Sequence, residues 1–212
     1  MKNQDLTHLD HRVAEAEKRT GAQIVLAVIG RSDSYPELPW KAFALGTALA
    51  ALPVFAMNGM RPGWASGYEA FLSAALPLGA GILSILLCLF APAFARLFLD
   101  AHRASTEVRQ YASSLFLTRE LFATRGRTGI LLLVSQFERR VVVLPDTGLD
   151  TRLGRDALQA VVARMTKALR EGEISHALEE GLASLEEALA PTAPGEPGEN
   201  ELPDGIIEEK GS

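Results

Sequence analysis

Two apolar runs, AFALGTALAALPVFAMNGM (residues 42–60) and AFLSAALPLGAGILSILLCLFAPAFA (residues 70–95), decide how this chain folds. Neither run contains a charged residue, and the link between them is short and polar. A helix needs about 20 residues to cross the roughly 30 Å hydrocarbon core of a bilayer. The pattern therefore predicts a transmembrane helical hairpin over residues 40–96. The alternative is a pair of helices buried in a soluble core, which the length of the charge-free runs disfavours.

Basic residues flank the outer ends of the hairpin, whereas the link between the runs holds only Arg61. The flanking residues are Arg31, Lys41, Arg96, Arg103 and Arg109. Because cytoplasmic flanks of membrane spans are enriched in Lys and Arg, we expect both termini in the cytoplasm. The first 20 residues are charged and contain no apolar run, so we expect the first apolar run itself to direct the chain to the membrane.

The sequence on both sides of the hairpin has the periodicities of an α/β domain. Helical spacing of apolar residues is present over residues 4–19, 96–122, 150–170 and 174–189. Three short apolar runs, QIVLAVI (23–29), GILLLVS (129–135) and RRVVVL (139–144), predict strands, the last two as an antiparallel hairpin. A strand cannot bury itself alone, so residues 1–38 and 97–190 are expected to fold together around the inserted hairpin.

The second apolar run is expected to continue without a break into the amphipathic helix that follows it.

Residues 191–212 are rich in Pro, Gly and acidic residues, which predicts a disordered acidic tail. The alternative for this tail is that its short apolar and acidic element, NELPD (200–204) followed by Ile206-Ile207, docks on another surface.

Composition excludes several classes of function. The net charge is −5, and no basic cluster with interleaved aromatic residues is present, so we expect no nucleic-acid partner. The single cysteine, Cys88, excludes an internal disulfide and a zinc site of several cysteines. Motifs of serine hydrolases, phosphate-binding loops and zinc proteases are absent from the sequence.

The best polar cluster in the sequence is formed by Glu138, Asp146 and Asp150, with Asp156 further on. Several carboxylates at one loop can bind calcium or another divalent cation. Calcium takes about six to eight oxygen ligands. The alternative is structural, because Asp146 lies in a Pro-Asp-Thr-Gly turn and Asp150 suits the N-cap of the next helix. Arg125 and Arg127, beside a glycine, are candidates for binding an anion.

Several segments together carry a resemblance to a known family. They are AQIVLAV (22–28), YASSLF (111–116), GILLLVS (129–135), ERRVVVLPDTGL (138–149), EGEISHALEEGLASL (171–185) and NELPD (200–204). In these segments the chain resembles the TPM domain family, and in particular its bacterial membrane-bound members. The resemblance implies an α/β sandwich of a small mixed sheet between helices. It also implies relatives that are similar to acid phosphatases, that bind calcium, or that assist the assembly or repair of membrane complexes.

The sequence thus leads to one main hypothesis and two alternatives. The main hypothesis is an accessory, assembly or quality-control factor for membrane proteins, anchored in the bacterial inner membrane and partnered by the lipid bilayer and another membrane protein. The first alternative is a metal-dependent, calcium-binding hydrolase of phosphoesters, similar to acid phosphatases, that uses Asp146 and Asp150. The second is a cytoplasmic regulator that senses lipid or stress.

Overall fold

A computed structural model of the protein describes residues 3–60, 63, 66–149, 152–190 and 206–211. The chain forms two compact units. The sheet unit comprises Met1–Asp33 and His102–Ser212, and the hairpin unit comprises Ser34–Ala101. The chain therefore leaves the sheet unit after its first strand and returns to it through a later helix.

The helices and strands follow one another in this order: α1 (Asn3–Thr20), β1 (Gln23–Arg31), α2 (Glu37–Gly59), α3 (Gly67–Phe90), α4 (Pro92–Ala95), α5 (Ala101–Thr118), β2 (Gly129–Ser135), β3 (Arg140–Pro145), α6 (Arg155–Glu171), α7 (Ile174–Leu189) and β4 (Ile207–Gly211). Short 3₁₀ turns follow α4, α5 and β3.

The sheet unit is built on a mixed four-stranded sheet in the order β3-β2-β1-β4. β1 is parallel to both of its neighbours, with Leu26 opposite Leu132 and Ala27 opposite Ile207. β2 and β3 form the predicted antiparallel hairpin. The mixed sheet between helices implied by the family resemblance is confirmed.

Helices cover both faces of this sheet. Successive side chains of a strand point to opposite faces, and in the central strands β1 and β2 both sets of side chains are apolar. On one face, Leu26 of β1 and Leu132 of β2 lie in a core with apolar residues of α1, α6 and α7. On the other face, Ala27 and Leu133 lie in a second core with residues of α5. The sheet unit therefore has three layers, with α5 alone on one side.

The end of the chain corrects the prediction of a wholly disordered tail. Ile207–Gly211 forms β4 and pairs in parallel with β1. The docking alternative is therefore right for Ile207, whereas residues 191–205, including NELPD, lie outside the described part of the chain. The two backbones approach closely, since a Cβ atom on Gly30 would lie 2.7 Å from the Lys210 carbonyl oxygen. Glu209 of β4 accepts from the Tyr111 hydroxyl of α5 at 2.5 Å and from Nη2 of Arg119, the residue after α5, at 3.2 Å.

The expected continuation of the second apolar helix into the next helix is wrong. α3 ends at Phe90, and Ala91 has extended backbone angles of φ −118° and ψ 92°. Pro92 explains this break, because proline disfavours the helical conformation in the residue before it. A second break follows at extended Leu99, so α5 begins at Ala101 and is shorter than predicted.

Two helix starts also differ from the prediction. α2 begins at Glu37, which places Pro39 in its first turn, where the missing N–H has no partner within the helix. α6 begins at Arg155 with Gly154 at its N-cap, so the prediction that Asp150 caps this helix is wrong. Asp150 itself lies outside the described residues.

The hairpin unit consists mainly of α2 and α3, which are long enough and apolar enough to span a membrane. Only 6% and 17% of their most apolar windows are buried, which does not fit two helices in a soluble core. Small residues bring the two helices together: a Cβ atom on Gly46 would lie 2.1 Å from Ser84 Oγ, and one on Gly81 would lie 2.2 Å from Thr47 Oγ1.

The docking of β4 depends on the protonated hydroxyl of Tyr111. Burial, followed by the hydrogen bond to Glu209, raises the pKa of Tyr111 to about 12 from the ordinary value of 10.0. Because the folded pKa is the higher one, the contribution to stability is complete below pH 10 and is lost as the pH rises towards 12.

We expect Tyr111→Phe to accelerate hydrogen exchange of the β4 amides about tenfold at neutral pH, since a hydrogen bond to a charged group stabilises by about 1.5 kcal/mol. Hydrogen exchange with mass spectrometry measures this, and the β2 amides serve as the internal control. The gap in melting temperature between wild type and variant should narrow between pH 10 and pH 12. Equal β4 protection in both proteins would contradict this function of Tyr111.

Candidate functional site

The sequence-predicted carboxylate Asp146 lies at the point where β3 ends and β2 begins. Its backbone N–H donates to the Gly129 carbonyl at 2.8 Å, and its side chain is 3% exposed. Oδ1 accepts from Arg127 Nη2 at 3.0 Å and from the Thr147 N–H at 2.8 Å. Oδ2 lies 2.9 Å from Arg127 Nε as an ion-pair contact, but not with the alignment of a hydrogen bond. Asp146 is therefore a buried carboxylate neutralised by one guanidinium.

Arg127 has an unusual backbone conformation. Its φ is 53°, in the left-handed region that costs a non-glycine residue energy. Its carbonyl accepts from the Gly148 N–H at 2.9 Å, which joins the loop before β2 to the turn after β3. The side chain is 51% exposed at the same time. The Asp146–Arg127 pair thus stabilises the loop while leaving a guanidinium at the surface.

Glu138 lies at the opposite end of the β2–β3 hairpin, so the structure does not bring it together with Asp146. The six residues of β3 separate them, which corresponds to about 20 Å. Glu138 Oε1 accepts from the Ser32 N–H at 2.9 Å and from Ser32 Oγ at 2.7 Å, and Oε2 accepts from Ser135 Oγ. This buried carboxylate therefore ties the end of β1 to the β2–β3 turn.

The described residues do not fit a bound calcium ion at the predicted cluster. They contain no group of three His, Cys, Asp or Glu side chains that could hold a metal ion. Asp146 already faces a guanidinium, whose positive charge opposes a cation beside it. A metal at Asp146 and Asp150 stays a prediction, because Asp150 lies outside the described part of the chain.

A second polar cluster, which the sequence did not point to, lies where the chain leaves and re-enters the sheet unit. Asp33 Oδ2 accepts from Arg103 Nη2 at 2.9 Å, and Arg103 Nε lies 3.6 Å from Glu107 Oε1. The Arg31 guanidinium lies 4.1 Å from the centroid of the Phe137 ring. Asp33 and Arg103 are 70 positions apart in the chain, so no local motif could have revealed the pair.

The Asp146–Arg127 pair predicts a specific loss of stability. We expect Asp146→Asn to lower the free energy of unfolding by about 1–3 kcal/mol, because it removes a charge-assisted contact of a buried side chain. Chemical denaturation of the full chain in detergent measures the change. Asp156→Asn, in the exposed first turn of α6, is the matched control and should change stability by less than about 0.5 kcal/mol.

The outcome for Arg127→Met decides whether the pair acts as a unit. In a double-mutant cycle with Asp146→Asn, the two effects should be clearly less than additive. Additive effects would show that Asp146 stabilises the turn through the Thr147 N–H alone.

Comparison with known proteins shows a family match and a similar fold. Residues 98–188 match the model of the TPM domain. The NMR structure of BA42 protein from the psychrophilic bacterium Bizionia argentinensis is similar, with a TM-score of 0.58 and 13% sequence identity over 98% of this chain and 94% of that chain. At this identity the likeness shows the fold alone. No curated protein sequence matches the chain. The TPM domain that the resemblance predicts is therefore confirmed for residues 98–188.

Proposed function

We propose that this protein is a membrane-anchored accessory, assembly or quality-control factor for other membrane proteins. The observation that carries the proposal is the insertion of two long apolar helices directly after the first strand of the sheet unit, which contains most of the TPM match at residues 98–188. An anchor in this position holds the domain at the bilayer surface, where it can meet the soluble parts of neighbouring membrane proteins.

The dimensions of the hairpin support the anchoring. α2 has 23 residues and α3 has 24, which at 1.5 Å per residue gives about 35 Å, enough to cross a core of about 30 Å. Large apolar side chains are exposed along both helices, for example Phe55 at 80% and Phe71 at 66%. Trp40 and Tyr68, near the helix starts, are residue types that favour the membrane interface.

The connection between anchor and domain supports a coupled function. β1 continues through Asp33 towards α2, and the chain returns to α5 two residues before Arg103. The Asp33–Arg103 ion pair joins the two crossing points within the sheet unit. The anchor is thus attached to a central strand of the sheet, and a shift of β1 would be transmitted to its neighbours through the backbone hydrogen bonds of the ladder.

We place the TPM domain on the cytoplasmic side of the bacterial inner membrane, because the basic residues lie at the outer ends of the hairpin. In a Cys88→Ser background, a cysteine at exposed Gly67 should react with an impermeant maleimide in intact cells. A cysteine at exposed Ala160 on α6 should react only after the membrane is permeabilised. The opposite pattern would reverse the proposed orientation.

The accessory function itself is tested in cells. Loss of the protein should lower the abundance of a membrane protein that co-purifies with it from mild detergent. The wild-type chain should restore that abundance, whereas Gly46→Leu combined with Gly81→Leu should not, since both leucines would force α2 and α3 apart. Ala160→Leu, which also introduces a leucine but at an exposed position on α6, is the control.

One result would replace this function by the phosphatase alternative. That result is hydrolysis of p-nitrophenyl phosphate by the purified chain that stops with a chelator and in Asp146→Asn, together with the absence of a co-purifying membrane protein.

A further inference from the structure

The β3 edge of the sheet is open in the described part of the chain. β4 covers the edge at β1, whereas β3 has β2 as its one neighbour in the sheet. An exposed sheet edge offers unpaired backbone groups to another extended chain. Most β3 residues are only partly buried, in contrast to β2, all of whose residues are buried.

The phase of the ladder shows which backbone groups face outwards. In an antiparallel pair, opposite residues alternate between those that exchange hydrogen bonds and those that do not. The Asp146 N–H donates to the Gly129 carbonyl, so Leu144 and Val142 also direct their backbone groups towards β2. Val141 and Val143 therefore direct their N–H and C=O groups away from the sheet.

A groove of about 280 Å³ runs along this edge. Its walls come from α5, with Val108 and Arg109, from α6, with Val162, and from β3 itself. α5 and α6 pack on opposite faces of the sheet, so the groove lies where an additional strand would continue the sheet between them. Valine side chains along β3 provide apolar contact for alternate residues of such a strand.

The charges of the groove indicate which kind of strand fits. The two charged residues that line it, Arg109 and Arg140, are both basic. On the other side of the sheet, a strand of this chain already has this chemistry: acidic Glu209 of β4 accepts from Tyr111 of α5 and from Arg119, the residue directly after α5. Arg109 of α5 and Arg119, directly after α5, thus provide a cation on either side of the sheet.

We propose that β3 binds an extended segment of a partner protein, with alternating apolar and acidic residues, as a fifth strand of the sheet. The outward groups of Val141 and Val143 form the backbone hydrogen bonds, the groove takes the apolar side chains, and Arg109 pairs with an acidic side chain. This mode of recognition takes its affinity from the backbone and its specificity from alternate side chains. It deepens the proposed accessory function by giving the chemistry of the partner.

The test uses the full chain in nanodiscs and a fluorescent peptide, VEVEVEV, with VKVKVKV as its matched control. The acidic peptide should bind and the basic peptide should not. Binding should protect the amides of Val141 and Val143 from hydrogen exchange and leave those of Val142 and Leu144, already bonded to β2, unchanged. Absence of acidic-peptide binding up to about 1 mM overturns the proposal, because specific recognition is tighter than this.

Two variants separate the backbone from the charge. Val143→Pro removes one outward N–H without removing a bond to β2, and should weaken binding about tenfold, as loss of one hydrogen bond does. Arg109→Glu, on exposed helix surface, should weaken binding at least as much through repulsion, and Arg155→Glu on α6 is its control. Equal affinities in wild type, Val143→Pro and Arg109→Glu would overturn the proposal.

The peptide-binding test and the tests of the proposed function can fail separately. Peptide binding does not require the hairpin to cross a membrane, so its failure leaves the maleimide and co-purification results standing. Conversely, peptide binding without any co-purifying membrane protein would retain the edge as a binding surface and remove the membrane-protein role.

Discussion

The burial of β1 is the constraint on which the rest of the sheet unit depends. Seven of its nine residues are buried, so its backbone N–H and C=O groups cannot be satisfied by water. β2 pairs with β1 along one edge, and β4 pairs with its second half, Ala27 to Arg31, along the other. The two faces need α5 on one side and α1, α6 and α7 on the other. A segment from the very end of the chain is therefore a structural part of the domain.

This constraint also determines what the hairpin is attached to. The chain leaves for the hairpin unit from the carboxyl end of β1, next to the buried Glu138, which accepts hydrogen bonds from Ser32 and Ser135. If the hairpin were joined to a peripheral loop, a movement of the hairpin would not shift the strands of the sheet. Here the attachment is to a central strand, with the Asp33–Arg103 pair beside it. This attachment supports the proposed coupling between the hairpin unit and the sheet.

Most elements of the fold could be predicted because their signals are local. β2 and β3 are unbroken apolar runs with a short link, and α1 has a helical apolar stripe. Pro92 is a local signal for the end of α3, but the apolar composition that continues past it favours a longer helix. The candidate site was predicted only in part. Glu138 and Asp146 are close in sequence, yet β3 lies between them and places them at opposite ends of the β2–β3 hairpin.

The sequence by itself determined the apolar hairpin, the alternation of helices and strands, and the family resemblance, because each depends on the order and spacing of neighbouring residues. Only the tertiary structure decided that the tail forms β4 and that the hydrogen bonds of Glu138 connect the end of β1 to the β2–β3 turn. The contacts behind these features join residues 98 and 106 positions apart. Their partners are selected by the burial of unpaired polar groups, which no local pattern records.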